Sequence, residues 1–145
     1  MAHLVFQTAF PGDLFLSIPL LKRIKEWEPE ARLVLACRPN LGKFFLTSGL
    51  VDELIEVDKK SGVGRTQALK YLKETEWDVI FCPHESPRTA LWMRQLRAKR
   101  GKVGFHKWWN FAFFNKRVIK PMHLPDALRQ LSLLAPMDAR LAELF

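Results

Sequence analysis

The chain has 145 residues, 48% hydrophobic and 26% charged, which is enough apolar mass for one globular domain with its own core and too much for a disordered tail. Its formal charge of +8 attracts polyanions, leaving nucleic acid, anionic membrane surface and phosphorylated or acidic small molecules as partner classes. No stretch reaches the ~18 apolar residues of a membrane span, no signal peptide opens the chain, and Cys37 and Cys82 are too far apart for a redox pair or a zinc knuckle, so the expectation is a cytosolic protein with buried, reduced thiols.

In chain order, HLVFQT (residues 3–8) is a short unbroken apolar run of the kind found in a strand buried on both faces. A kink at Phe10-Pro11-Gly12 and a lone Asp13 follow. The spacing of Leu14, Ile18, Leu21 and Ile24 then predicts one amphipathic helix over 14–27, stopped by the approach to Pro29. Strands are predicted at 32–37, 53–57, 78–82, 102–105 and 116–119. Between them fall helices at 41–47, at 66–74 after a Gly62/Gly64 loop, and at 87–98; a final helix covers 125–135. Strand and helix alternate throughout, which argues an α/β fold with an open, mostly parallel sheet and helices on both faces.

Open parallel sheets bind ligands beyond the carboxyl ends of their strands, so the segments at 10–13, 38–40 and 83–88 are the places to look. Two readings of Asp13 stand side by side. It caps the following helix, or it is an ionised carboxylate placed to take a proton from a substrate hydroxyl, beside a glycine that permits close approach. His84 and Arg88, at the start of a helix, make a seat for a phosphate or a sugar-acid carboxylate, or else are an ordinary loop histidine and a solvated charge. No second ligand stands at metal-binding spacing from His84, so no metal site is expected. The dinucleotide and Walker fingerprints are absent: Gly62 and Gly64 match the first half of G-x-G-x-x-G, but the third position is Gln67.

The stretch GFHKWWNFAFFNKRVIK interleaves aromatics and bases. Three readings stay open for it: core packing, a membrane-interface patch with Trp108, Trp109, Phe113 and Phe114 at headgroup depth beside Lys107, Lys116, Arg117 and Lys120, or a platform for stacked bases.

The opening VFQTAFPGDLFLSIPLLKRIKEWEPEARLVLACRPN, with Gly12-Asp13 and the downstream Pro19-Leu20-Leu21, resembles the bacterial heptosyltransferase family, glycosyltransferase family nine. VDELIEVDK, WDVIFCPHESPRTALWMRQL and KVGF follow in the family's order. The resemblance implies a Rossmann-like N-terminal, acceptor-side domain spanning residues 1–145, half of a two-domain GT-B enzyme whose nucleotide-sugar domain lies outside this sequence. It implies metal-independent transfer of heptose from ADP-heptose, with inversion, onto the lipopolysaccharide inner core at the cytoplasmic face of the inner membrane. Asp13 is then the general base, and Thr8, Gly12, His84, Arg88 and Arg129 are acceptor contacts. The isolated domain is expected to be inactive, with possible partners in the core acceptor, the anionic membrane surface and its own second domain, and nucleic acid not among them. Two rivals stand beside this reading: a non-catalytic basic α/β module that binds nucleic acid or other polyanions, and a transferase for another sugar.

Overall fold

The computed structural model describes residues 1–58 and 60–145. Six strands, β1 (Ala2–Phe6), β2 (Arg32–Cys37), β3 (Glu53–Glu56), β4 (Trp77–Cys82), β5 (Ala98–Phe105) and β6 (Lys116–Val118), form one sheet in the order β3-β2-β1-β4-β5-β6. Every neighbouring pair is parallel, so the Rossmann-like reading holds and the sheet is parallel throughout rather than mostly so. Alternate strand residues serve opposite faces. Val5, Leu33, Leu35, Val79 and Phe81 pack with α2 (Ile18–Trp27), α3 (Lys43–Thr47) and the 3₁₀ turn Ser132–Leu134. Leu4, Phe6, Val34 and Ile80 face the other way, onto α4 (Gly62–Glu74) and α5 (Pro87–Gln95). Among the described residues no helix is long and apolar enough to cross a membrane.

Several predicted boundaries move, each for a local reason. The single helix expected over 14–27 is two, α1 (Pro11–Phe15) and α2, separated by a turn at Leu16 and Ser17. Pro19 has no N–H to donate to the carbonyl four residues back, so the first helix ends and a second starts with proline in its opening turn. Gly62 and Gly64 are not a loop but the first turn of α4, because Ser61 Oγ accepts the Gly64 N–H at 3.1 Å and caps the helix there. The helix after β4 stops at Gln95, and β5 begins at Ala98, well before the expected residue 102. The register between β4 and β5 shifts between Trp77 and Val79, and opposite Val79 stands Gly101 at φ +133°, a conformation that side chains other than glycine's resist. The final predicted helix divides into α6 (Asp126–Leu131) and the 3₁₀ turn, with α7 (Ala139–Ala142) beyond.

The aromatic stretch divides its residues between core and solvent. Phe114 is buried over Gly104, where a Cβ would meet its ring at 2.7 Å, so the reading that set Phe114 at headgroup depth is corrected. Trp109 and Phe113 are half-buried and meet edge to face. Trp108 is 87% exposed and Phe111 70%.

At the amino end of the sheet His3 is fully buried, stacks on Trp27 at 5.3 Å and donates from Nε2 to Glu28 at 2.5 Å. Arg100 bridges Glu28 and Asp78, so a fixed guanidinium occupies the place between the two carboxylates that would otherwise suit a cation. His3 Nδ1 has no hydrogen-bond partner among the described residues. Burial holds the His3 pKa below its usual value despite the hydrogen bond to Glu28. The unfolded chain therefore binds this proton more readily. Its contribution is intact above about pH 6.5 and declines as the pH drops below that value. The expected result is a melting temperature that falls on acidification from about pH 6.5 to pH 5, and less steeply in His3→Phe, measured by thermal unfolding across that range. Parallel slopes for the two proteins would show that other groups set the acid sensitivity.

Candidate functional site

The strand order reverses direction at β1: the chain moves outward to β2 and β3, then returns to β4 on the other side. The crevice at such a point, beyond the carboxyl ends of β1 and β4, is where open α/β sheets take ligands. A cleft of about 190 Å³ lies there, lined by Gln7 and Asp13 after β1, His84 and Glu85 after β4, and Arg129 and Gln130 from α6.

Asp13 is half-buried in α1, and its carboxylate accepts no hydrogen bond among the described residues. The helix is capped at Phe10, with Pro11 first, so Asp13 sits in the first turn and the N-cap reading is corrected. What fixes the residue is its backbone. The Asp13 carbonyl accepts from Gln130 Nε2 at 3.0 Å, and Ser17 Oγ lies 3.2 Å from the same carbonyl and 2.5 Å from Gln130 Oε1. Gln7 Nε2 donates to Gln130 Oε1 at 3.3 Å. Three buried polar side chains thus hold the turn while leaving the acidic group itself unengaged. Gly12 is exposed, and a Cβ there would meet nothing within 4 Å, so no packing demands glycine at that position.

His84 is held from behind. Its Nδ1 lies 3.2 Å from Thr8 Oγ1 and 2.9 Å from Thr89 Oγ1. Thr8 is itself fully buried and does not line the cleft; it meets His84 through its hydroxyl and Arg38 Nε through its carbonyl, at 2.8 Å. On the far wall Glu85 accepts from Lys120 at 2.9 Å and pairs with Lys107 at 3.2 Å. Burial alone raises a carboxyl pKa, but the two ammonium groups outweigh it and hold Glu85 below its usual value. Lys120 also lies over the Phe105 ring, 5.3 Å from its centre.

Arg129 lines the cleft with its guanidinium tied to the Leu124 and Met122 carbonyls and to Asp126, so it braces segment 122–126. Arg88 does not reach this cleft. It is exposed on the first turn of α5 and lines a neighbouring concavity of about 620 Å³ together with Pro11, Arg38 and Lys60. The fold therefore brings Asp13, His84 and Arg129 to one cleft, sets Thr8 behind His84, and puts Arg88 across α1 among other cations. Sequence reasoning missed Gln130, Ser17 and Glu85. Gln130 carried a signal, since it interrupts the apolar stripe of Ala127, Leu131 and Leu134 with a polar group that a buried helix face accepts only when paired.

The parallel sheet, its order and the cleft at the β1/β4 switch define a Rossmann-like α/β domain. The particular likenesses are to E. coli heptosyltransferase WaaC with ADP-2-deoxy-2-fluoro heptose (TM-score 0.79, 16% identity, 94% of this chain and 48% of that one), to the glycosyl transferase family 9 protein from Veillonella parvula (0.78, 19%, 92% and 40%) and to E. coli ADP-heptose lps heptosyltransferase II (0.73, 19%, 92% and 40%). The chain spans less than half the length of each of these proteins. No family model and no curated protein matches the sequence. At these identities the likeness establishes the fold.

Proposed function

We propose that this chain is the acceptor-side domain of an inverting heptosyltransferase-like glycosyltransferase, which moves heptose from ADP-heptose to the lipopolysaccharide inner core with the help of a donor-binding domain outside this sequence. The observation that carries the reading is the Asp13 carboxylate, which lines the switch-point cleft and accepts no hydrogen bond among the described residues. In the proposed reaction the acceptor hydroxyl attacks the anomeric carbon from the face opposite ADP. The new C–O bond forms as the bond to the diphosphate breaks, the hydroxyl proton passes to Asp13, and ADP departs with the electron pair. His84, backed by Thr8 and Thr89, orients the acceptor, and Arg129 keeps the cleft's outer segment in place. Gly12 leaves room for a sugar ring close to the backbone. The cations Arg38, Lys60 and Arg88 suit an acceptor that carries carboxylates and phosphates.

Titration of this domain with a soluble lipopolysaccharide inner-core oligosaccharide, followed by amide chemical shifts, tests the reading. The expected result is saturable shifts at Gly12, Asp13 and His84, with a second group at Arg38 and Arg88. Silence at both, with the domain folded, would remove the acceptor assignment.

A further inference from the structure

Glu85 stands immediately before a stretch, residues 86–125, that contains ten lysines and arginines and no aspartate or glutamate. Two of those cations turn to it. Lys107 Nζ lies 3.2 Å from Glu85 Oε1 and Lys120 Nζ lies 2.9 Å from Oε2, so each carboxylate oxygen holds one ammonium group. Asn110 fixes the Lys107 side of this clamp: its Nδ2 donates to the Phe105 carbonyl at 2.7 Å and its Oδ1 accepts the Lys107 N–H at 3.0 Å. Lys120 rests over the Phe105 ring. Because β5 and β6 are parallel with Phe105 opposite Val118, the segments carrying the two lysines leave the sheet side by side. Without Glu85 the two ammonium groups would form a ready seat for a phosphate or carboxylate. The chain fills that seat with a carboxylate of its own.

Charge is thereby divided between two neighbouring hollows. Among the described residues, the cleft is lined by three carboxylates, Asp13, Glu85 and Asp126, and by two cations, Lys120 and Arg129, each already paired inside the protein. The neighbouring concavity has the opposite balance, with Arg38, Lys60 and Arg88 against Asp58. A domain with a formal charge of +8 thus keeps its excess out of the cleft that holds Asp13. An anion entering that cleft meets the Asp13 carboxylate and finds the ammonium groups taken. A hydroxyl meets neither obstacle. A carboxylate has about four acceptor sites and an ammonium group three donors, so Glu85 and Lys120 keep capacity beyond their mutual bond, the one to accept from a sugar hydroxyl and the other to donate to the next. Building on the acceptor-side reading, we propose that Glu85 determines specificity by occupying the anion seat between Lys107 and Lys120, so that the cleft admits an uncharged, hydroxyl-bearing sugar ring and the acceptor's anionic groups stay in the concavity of Arg38 and Arg88.

The test uses methyl glucoside and methyl glucuronide, which differ by one carboxylate, together with inorganic phosphate, each titrated into this chain and into Glu85→Gln and followed by amide chemical shifts. In the unaltered chain the glucoside is expected to shift Asp13, His84 and Glu85, whereas the glucuronide and phosphate shift Arg38 and Arg88 and leave the cleft silent. Glu85→Gln keeps the shape of the side chain and releases both lysines. The glucuronide and phosphate are then expected to reach His84 and Lys120, binding there about tenfold more tightly than in the unaltered chain, and Glu85→Gln/Lys120→Met is expected to lose that gain. Thermal unfolding verifies that the variants fold, and the comparison of the two glycosides in the unaltered chain stands without them. Cleft shifts from the glucuronide as large as those from the glucoside, a cleft silent to the glucoside, or no gain of anion binding in Glu85→Gln would each overturn the proposal. The inner-core oligosaccharide titration separates these failures from that of the acceptor reading: cleft shifts there, beside any of these results, retain the acceptor site and reject only its selection against anions.

Discussion

Asp13→Asn is expected to lower sugar transfer by ~10²- to 10⁴-fold in an enzyme that joins this domain to its donor-binding partner, while the domain keeps its fold. The two effects separate because of how Asp13 is held. The grip on the turn comes from Gln130 and Ser17 acting on the backbone carbonyl, which asparagine leaves untouched. The carboxylate has no partner to lose among the described residues, and what remains is its favourable place in the first turn of a helix, worth about 0.3–1 kcal/mol. Steady-state transfer rates and thermal unfolding of the same variant provide the comparison. A loss of activity below threefold would leave Asp13 with that minor helical role and no part in the chemistry.

The largest effect on stability is expected at Trp77, which opens β4 and is 1% exposed. Its indole N–H donates to the Leu72 carbonyl at 2.9 Å and so ties the last turn of α4 to the sheet, while its ring fills the face shared with Ala98 and Leu72. Trp77→Ala removes both contributions and leaves a cavity, at a cost of about 3–5 kcal/mol. For a domain of this size that corresponds to a fall in melting temperature of about 10–15 °C. Trp77→Phe retains most of the ring and loses the hydrogen bond, which by itself contributes about 1 kcal/mol. Unfolding curves of the two variants measure the division. Equal losses would mean that the bond to α4, and not the volume of the ring, holds this corner.

The order of elements was legible because a doubly wound sheet imprints itself locally. Buried parallel strands are apolar runs, and their helices are striped, so β2 was readable to the residue and the other strands to within a few. The errors fall where a backbone rule acts over one or two positions, as with Pro19 dividing α1 from α2, Ser61 drawing Gly62 and Gly64 into α4, and Gly101 letting β5 run further than its apolar residues suggest. In the site, Asp13 and His84 could be anticipated because strand ends on either side of the switch must meet. Arg88 could not be assigned to one side of α1, since its direction from the first turn of α5 depends on packing. The support given by Gln130 and Glu85 was invisible for a different reason: each pairs with residues from distant elements, and no periodicity encodes such partners.

The hydrogen bond between Gln130 and the Asp13 carbonyl joins positions 117 residues apart. On a ribosome adding ~5–20 residues per second, the α1 turn emerges about 6–23 s before its clasp is made. Sheet and α2 can assemble in that interval, but the turn bearing the carboxylate lacks its fastener. The first-translated part of the cleft is therefore the last to be fixed, and a nascent chain paused before α6 carries a nearly whole sheet with its carboxylate-bearing turn still loose.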